Sequence, residues 1–190
     1  SRALADEFAI ERYDMDAHSF GDFGPRYTAS RHPATHAWYT AENPFGYMLS
    51  LDWDHFSALY RASNAETLDL FAADLSTNYD PQRPLLVDGG ITHPSLLAQV
   101  LPPERIICLA TPPGTGTQLW QTDPNRRQML EMARALPDGD AAVQRFLDYD
   151  QKLHDLCVRE SREAGIRVFA RGEGTAVDEL TTQIARHWSL

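Results

Sequence analysis

The sequence predicts a mixed α/β domain with a mostly parallel sheet in a three-layer α/β/α arrangement. Two short apolar runs, at 84–90 and 105–110, are typical of strands that are buried on both faces. Elsewhere apolar residues recur at three-and-four spacing, which is typical of amphipathic helices. Strands that alternate with helices in this way favour a parallel sheet covered by helices.

The amino-terminal half supplies a helix, a strand and two further helices. Leucine and phenylalanine lie one helical turn apart in residues 2–8, and residues 10–14 alternate apolar and polar side chains as short strands do. Residues 20–43 are rich in glycine, proline and aromatic residues without a period, so we expect a functional loop or lid there. A helix around Trp53 and a second one opened by a capping box at 63–66 should follow.

The carboxyl-terminal half continues the alternation of strands and helices. Pro94 opens a short helix between the two apolar strands. Two longer helices, at 125–136 and 138–164, flank a Leu-Pro-Asp-Gly turn. A strand at 166–170 precedes a final helix, which we expect residues 175–178 to cap.

The chain carries an excess of acidic charge. Its 190 residues include 27 acidic and 17 basic side chains, which gives a formal net charge of -10. A field of this sign repels polyanions, so we expect neither nucleic acid nor a membrane surface among the partners. Lys152 is the single lysine, so phosphate recognition within this chain would fall to arginines.

Cysteine usage and hydropathy favour a cytoplasmic location. Cys108 and Cys157 lack the spacing of a metal site or a redox motif. The sequence contains neither an apolar run of membrane-spanning length nor a signal peptide. Because Ser1 opens directly into a helical pattern, we expect a further segment upstream of it in the biological polypeptide.

Acids follow two of the predicted strands at their carboxyl ends, where ligands gather in parallel sheets. Asp14 and Asp16 follow the first strand, and Asp88 follows the second. Carboxylates in such positions hold Mg²⁺ through oxygen and place a general base beside a transferring phosphate. The alternative is a local role, because acids at strand ends also form turns and cap helices.

The order of these elements resembles P-loop kinases of the nucleotide kinase and shikimate kinase type over most of the chain. Residues 1–8 resemble the helix that follows the phosphate-binding loop of that family, and Asp14-Met15-Asp16 is similar to the DxD that ends its second strand. The run 85–90 resembles the third strand with its Walker B acid. Arg126-Arg127 resembles the arginine-bearing lid, and residues 167–178 resemble the last strand, adenine-side loop and helix.

The resemblance implies an ATP-dependent phosphotransferase that uses Mg²⁺ and acts on a small-molecule, nucleoside or nucleotide acceptor. It implies that Asp14 or Asp16 orients and deprotonates the acceptor, and that Asp88 holds magnesium through water. It places Arg126 and Arg127 over the transferring phosphoryl group. Gly174 and Thr175 fall in the loop that contacts the nucleotide.

The phosphate loop of that family, GxxxxGK[ST], does not occur in the sequence. Residues 111–117 follow a strand and contain two glycines, but Thr117 stands where the lysine is required, so we expect a flexible approach to the lid. Without the first strand of the family, the apolar edges of 85–87 and 106–109 would be unpaired, so we expect an upstream strand and P-loop. The alternative is a degenerate, non-catalytic nucleotide-binding or assembly domain on the same scaffold.

We expect one domain over residues 1–190, with an acceptor-binding or lid insertion at about 19–62 and a lid segment at about 112–136. Within the insertion, Arg26, Arg31 and His32 are candidate acceptor contacts, with a solvated surface loop as the alternative.

Two other features of the insertion are open to more than one interpretation. Its aromatic residues form either an acceptor pocket or simply core. His32 and His36 have helical ligand spacing, but Pro33 between them and the lack of a third ligand speak against zinc. The sequence does not identify the acceptor or the oligomeric state.

Overall fold

A computed structural model describes residues 1–112, 115–172 and 174–190, apart from the side chain of Asn125. Helices account for 63% of the chain, and the strands are short and parallel, so the predicted mixed class is confirmed. Within the described ranges, no helix is both long enough and apolar enough to cross a membrane.

The described elements include all the predicted strands, together with helices at 15–20, 33–39, 44–50 and 115–122 that the sequence patterns do not predict. In the described ranges the helices are α1 (Arg2–Phe8), α2 (Met15–Phe20), α3 (Pro33–Tyr39), α4 (Pro44–Ser50), α5 (Trp53–Asn78), α6 (Pro94–Leu97), α7 (Thr115–Thr122), α8 (Pro124–Arg134), α9 (Asp140–Glu163) and α10 (Val177–Trp188). The strands there are β1 (Glu11–Asp14), β2 (Leu85–Asp88), β3 (Ile107–Ala110) and β4 (Arg167–Ala170).

The strands form two parallel pairs instead of one continuous sheet. Residues 11–14 of β1 pair in order with residues 85–88 of β2, and β3 pairs with β4 in the same manner. Among the described residues, β2 and β3 each pair along one edge only. Val87 and Leu109, which lie on these two strands, are 41% and 52% exposed. All four predicted strands are therefore confirmed, but the described residues leave the sheet open between β2 and β3.

One helical layer covers both strand pairs on the same side. Leu4 of α1 and Ile184 of α10 belong to one buried cluster, against which Leu86 of β2 and Ile107 of β3 both pack. Side chains from β2 and β3 thus share a core although the two strands do not pair. The open edges of the two pairs consequently lie beneath the same two helices.

Different helices cover the other side of each pair. Tyr13 of β1 packs in a cluster with Leu70 and Phe71 of α5. Ile106, next to β3, and Cys108 within it pack with Cys157 of α9. Because successive residues of a strand point to opposite faces, each pair contributes side chains to a helix-packed cluster on either face, although Val87 and Leu109 remain partly exposed.

The structure corrects the prediction of two helices at 53–78, because α5 is a single helix. The capping box predicted at 63–66 does not form. Ser63 and Asn64 lie in the middle of α5 and are buried, and their side chains bond residues outside the helix. The Ser63 hydroxyl hydrogen-bonds the Thr35 hydroxyl, and the Asn64 side-chain carbonyl accepts from the N–H of Thr92. Residues that commonly start helices are tolerated here because tertiary partners satisfy their polar atoms.

The structure also corrects the prediction of an irregular stretch at 20–43. Pro33 does not prevent a helix. It occupies the first turn of α3, where a backbone N–H would have no partner within the helix. The carboxylate of Glu66 on α5 accepts from the backbone N–H groups of Ala34 and Thr35 at 2.9 and 2.7 Å. The cap of α3 is therefore supplied by a residue about thirty positions away, which local sequence patterns do not reveal.

Three aromatic residues of the insertion belong to the core or pack against it. Phe45 and Phe56 are buried in one cluster, with Trp53 packed against them and against Tyr149 of α9. The predicted insertion at 19–62 thus spans α3, α4 and the first part of α5, and shares its core with α9.

We predict that Asn64→Ala destabilises the fold by about 2 kcal/mol and lowers Tm by roughly 4–8 °C. The Asn64 carbonyl accepts from the backbone N–H groups of Thr92 and His93 at 2.8 and 3.2 Å, and alanine would leave these donors without that partner. Thermal unfolding followed by circular dichroism measures the change. Asn78→Ala is the matched control on the same helix: its side chain is exposed and bonds only Asp74, so its cost should stay below about 0.5 kcal/mol. Equal losses for the two variants would contradict this role of Asn64.

Candidate functional site

Parallel pairing of β1 with β2 brings two predicted site acids together. Asp14 and Asp88 are register partners at the carboxyl ends of the two strands. Their carboxylates lie on the same face because directly paired residues of parallel strands share a face. Both acids thus stand at the carboxyl ends of their strands, and their roles as site residues stay predictions.

Arg12 bridges the two carboxylates. Its guanidinium donates to Asp14 Oδ2 at 2.9 Å and to Asp88 Oδ2 at 3.0 Å. Asp14 also caps α2 by accepting from the N–H of Ala17 at 3.0 Å. That backbone bond, with Arg12 beside it, holds the pKa of Asp14 below its usual range. Asp14 therefore combines the local capping role with a place in the acidic cluster.

Asp16 is the third acid of the cluster, and its pKa shifts in the opposite direction to that of Asp14. Its carboxylate lies against Gly89 and Gly90 at the exit of β2, where a Cβ on Gly89 would approach Asp16 Oδ2 to 2.6 Å. Burial of the carboxylate raises the pKa of Asp16, and the charges of Asp14 and Asp88 raise it further. Both glycines have positive φ, so the turn favours glycine on backbone grounds as well.

Two further residues adjoin the β2 exit. The hydroxyl of Ser1, at the start of α1, donates to Asp88 Oδ2. His93 is buried at the start of α6, with Nδ1 3.2 Å from the Asn64 carbonyl oxygen and with no partner for Nε2 among the described residues. Burial lowers the pKa of His93, which favours the neutral ring.

Each of the three predicted acceptor contacts has an intramolecular partner on α5. Arg31 and His32 both bind Asp69, with His32 Nε2 3.0 Å from the carboxylate, and His32 is buried. Arg26 lies 3.9 Å from Asp74 and stacks over the ring of Phe23. In this structure the three side chains hold the segment before α3 against α5, and contact with an acceptor stays a prediction.

The predicted lid arginines lie on α8. Arg126 stacks over Trp120 of α7 at 5.1 Å and lies 3.7 Å from Asp123, and Arg127 is exposed. The tract at 111–117 reaches α7 at Thr115, while its Pro113 and Gly114 lie outside the described residues.

The predicted nucleotide-side loop follows β4. Gly174 has a φ of 87°, and the N–H of Thr175 bonds the carbonyl of Gly172 at 3.2 Å. The predicted cap of the last helix is wrong, because Ala176 occupies the N-cap of α10 and makes no side-chain bond to it. The loop stands at the carboxyl end of its strand, the same end at which Asp14 and Asp88 stand on theirs.

Sequence reasoning missed Arg12 and Ser1. The signal for Arg12 was present: in a strand, residues two apart share a face, so Arg12 points the same way as Asp14. The contact of Ser1 with Asp88 joins residues 87 positions apart, and no local pattern predicts it.

The acidic cluster offers few free carboxylate oxygens to a metal ion. Among the described residues no group of three or more His, Cys, Asp and Glu side chains is arranged to hold a metal directly. Arg12 occupies Oδ2 of both Asp14 and Asp88. Mg²⁺ commonly retains several waters and takes other oxygens from substrate phosphates, so a sparse carboxylate set is compatible with it.

The chain matches no family model, no curated protein and no solved structure.

We predict opposite effects on stability when Asp14 and Asp16 are each replaced by asparagine. Asp16 has a raised pKa in the folded state, so its charged form costs folding free energy at pH 7 and that cost disappears as pH falls through the folded pKa. Asp16→Asn should therefore raise Tm by about 1–3 °C at pH 7, and the gain should vanish in acid.

Asp14 has a depressed pKa, so it stabilises the fold above its unfolded pKa and loses that contribution as pH falls through the folded pKa. Asp14→Asn should lower Tm at pH 7, with a loss that shrinks below about pH 4. Calorimetry of both variants from pH 3 to pH 8 separates the two cases. A loss of stability in Asp16→Asn at pH 7 would contradict the assignment.

Proposed function

We propose that this chain forms the carboxylate half of an ATP-dependent phosphotransferase that acts on a hydroxyl or phosphate of a small acceptor. One observation carries the proposal: Asp14, Asp16 and Asp88 meet at the carboxyl ends of two parallel strands, directly beside an unpaired strand edge. The order of the elements, which resembles the nucleotide and shikimate kinases, supports it.

The open edges of β2 and β3 support a fifth strand between them. Both strands are apolar, both have an exposed large side chain, and both pack under α1 and α10. Unpaired strand edges carry free N–H and C=O groups and favour pairing with another strand. A parallel apolar strand in this position would complete a continuous three-layer α/β/α sheet.

Such a strand would also complete the phosphate site. Parallel strands end at a common edge, so its carboxyl end would emerge next to Asp88 and Ser1. A glycine-rich loop there supplies backbone N–H groups to phosphates, together with the lysine that the described residues do not offer at this edge. The acids of this chain would then face the transferring phosphoryl group.

The three carboxylates suit different tasks in this reaction. Asp16, with its raised pKa, is placed to accept the proton of an acceptor hydroxyl while the acceptor oxygen bonds to the γ-phosphorus and the bond to the leaving ADP oxygen breaks. Asp14, ionised and fixed by Arg12 and the start of α2, orients the acceptor. Asp88 would hold Mg²⁺ through water, and the ion would offset phosphate charge.

The arginines of α8 supply the remaining charge in this proposal. Arg126 and Arg127 lie on a helix that packs with α7, and α7 follows the carboxyl end of β3. Closure of this helical pair over the strand ends would bring guanidinium groups to the transferring phosphoryl group, with Gly174 and Thr175 beside the nucleotide.

We predict that Asp88→Asn lowers kcat by at least about 100-fold while Tm stays within about 3 °C. The protein is produced from the complete open reading frame that contains this sequence. ADP formation is measured with ATP and Mg²⁺ against a panel of nucleosides, nucleoside monophosphates, sugars and hydroxy acids. Asp155→Asn is the matched control, because Asp155 lies exposed on α9 and bonds only Gln151.

Three outcomes decide between the proposal and its alternative. Turnover that falls in Asp88→Asn but not in Asp155→Asn supports the phosphotransferase. ATP binding in calorimetry without turnover on any acceptor favours the non-catalytic nucleotide-binding domain. A folded protein that binds no ATP contradicts both nucleotide functions and leaves an assembly role.

A further inference from the structure

The two cysteines of the chain meet in the core although 49 residues separate them. Cys108 Sγ of β3 lies 3.8 Å from Cys157 Sγ of α9. Cys108 is buried and Cys157 is partly exposed, and both are free thiols. Apart from each other, their packing neighbours are mainly apolar and include Ile106 and Ile166. Closure to a disulfide bond requires the sulfurs to approach by less than about 2 Å.

We propose that Cys108 and Cys157 form a reversible intramolecular disulfide when the folded protein meets a hydroperoxide. The inference is independent of phosphotransfer. It rests on the thiol contact and on the chemistry of the groups around it. The disulfide would tie the strand next to the open sheet edge to the helix that covers it.

The surroundings of the pair favour a thiolate on Cys108. The contact with the Cys157 thiol lowers the pKa of Cys108 to about 6, while the same contact and burial raise the pKa of Cys157. His154 and Arg162 of α9 lower the pKa of Cys108 further, while Glu160 on the same helix raises that of Cys157. The apolar contacts come from Leu97 of α6 and Val168 of β4. His154, Glu160 and Arg162 all lie on α9, and Glu160 is itself paired with Arg61 of α5 at 3.0 Å.

Ser161 adds a second observation at the same place. Its hydroxyl is fully buried and has no hydrogen-bond partner among the described residues. It lies next to both thiols, where a hydroxyl donor lowers the pKa of Cys108. A sulfur anion is the acceptor that this otherwise unsatisfied hydroxyl lacks.

The reaction proceeds in two balanced steps. The Cys108 thiolate attacks hydrogen peroxide, an S–O bond forms, the O–O bond breaks and hydroxide leaves, which gives Cys108 sulfenic acid. The Cys157 thiol then attacks that sulfur, the S–O bond breaks, and water leaves with the thiol proton as the disulfide forms. In this proposal hydrogen peroxide reaches Cys108 past Cys157, which is partly exposed, and a dithiol reductant reverses the product.

The test treats the folded protein with hydrogen peroxide, blocks free thiols with N-ethylmaleimide after denaturation, and measures intact mass and a peptide map. We expect a product lighter by two hydrogen atoms, without maleimide adducts, with the Cys108 and Cys157 peptides linked, and restored by dithiothreitol. Two alkylated thiols after treatment, covalent dimers, or a sulfinic acid without a disulfide would each overturn the proposal.

Variants and pH separate the roles of the two sulfurs. Cys157→Ala should leave a sulfenic acid on Cys108 that dimedone traps, whereas Cys108→Ala should react more slowly by about tenfold or more. In the unsubstituted protein, the oxidation rate should rise about tenfold from pH 5 to pH 7 and then level off, as a pKa of about 6 requires. A rate that still climbs steeply above pH 8, as for an ordinary thiol, would contradict the thiolate assignment.

Discussion

The parallel pairing of β1 with β2 is the constraint on which the candidate site depends. It sets Asp14 opposite Asp88, and it holds two like charges at one edge at a cost that Arg12 offsets by bonding both. The two-glycine exit of β2 then brings the chain back over Asp16. A shift of one residue in this register would turn the acids to the other face and separate them.

The long helix α5 organises the segments that surround this edge. From one helix, Asn64 fixes the turn after β2, Glu66 caps α3, and Asp69 holds Arg31 and His32. These polar contacts explain why α5 is continuous through residues that commonly begin or end helices. The same contacts give the segment at 20–43 a defined course, even though it has no hydrophobic period of its own.

The sequence was sufficient for the strands and for several helices, because these depend on local patterns. Alternation at 10–14, the apolar runs at 84–90 and 105–110, and the segment at 166–170 predicted the four strands, and the acids at the strand ends singled out Asp14 and Asp88. What it could not supply were contacts made across the fold: the cap on α3, the interior positions of Ser63 and Asn64, and the approach of Cys108 to Cys157. In each case the deciding partner lies about thirty or more positions away.

The open edge between β2 and β3 is the feature that links the fold to the proposed chemistry, and amide hydrogen exchange tests it most directly. The measurement compares peptides over 85–88 and 107–110 with those over 11–14 and 167–170 in the protein from the complete reading frame. If a strand pairs between β2 and β3, these two become central strands and their amides exchange the slowest, by about tenfold or more. Exchange of 85–88 and 107–110 as fast as that of the outer strands would contradict the account.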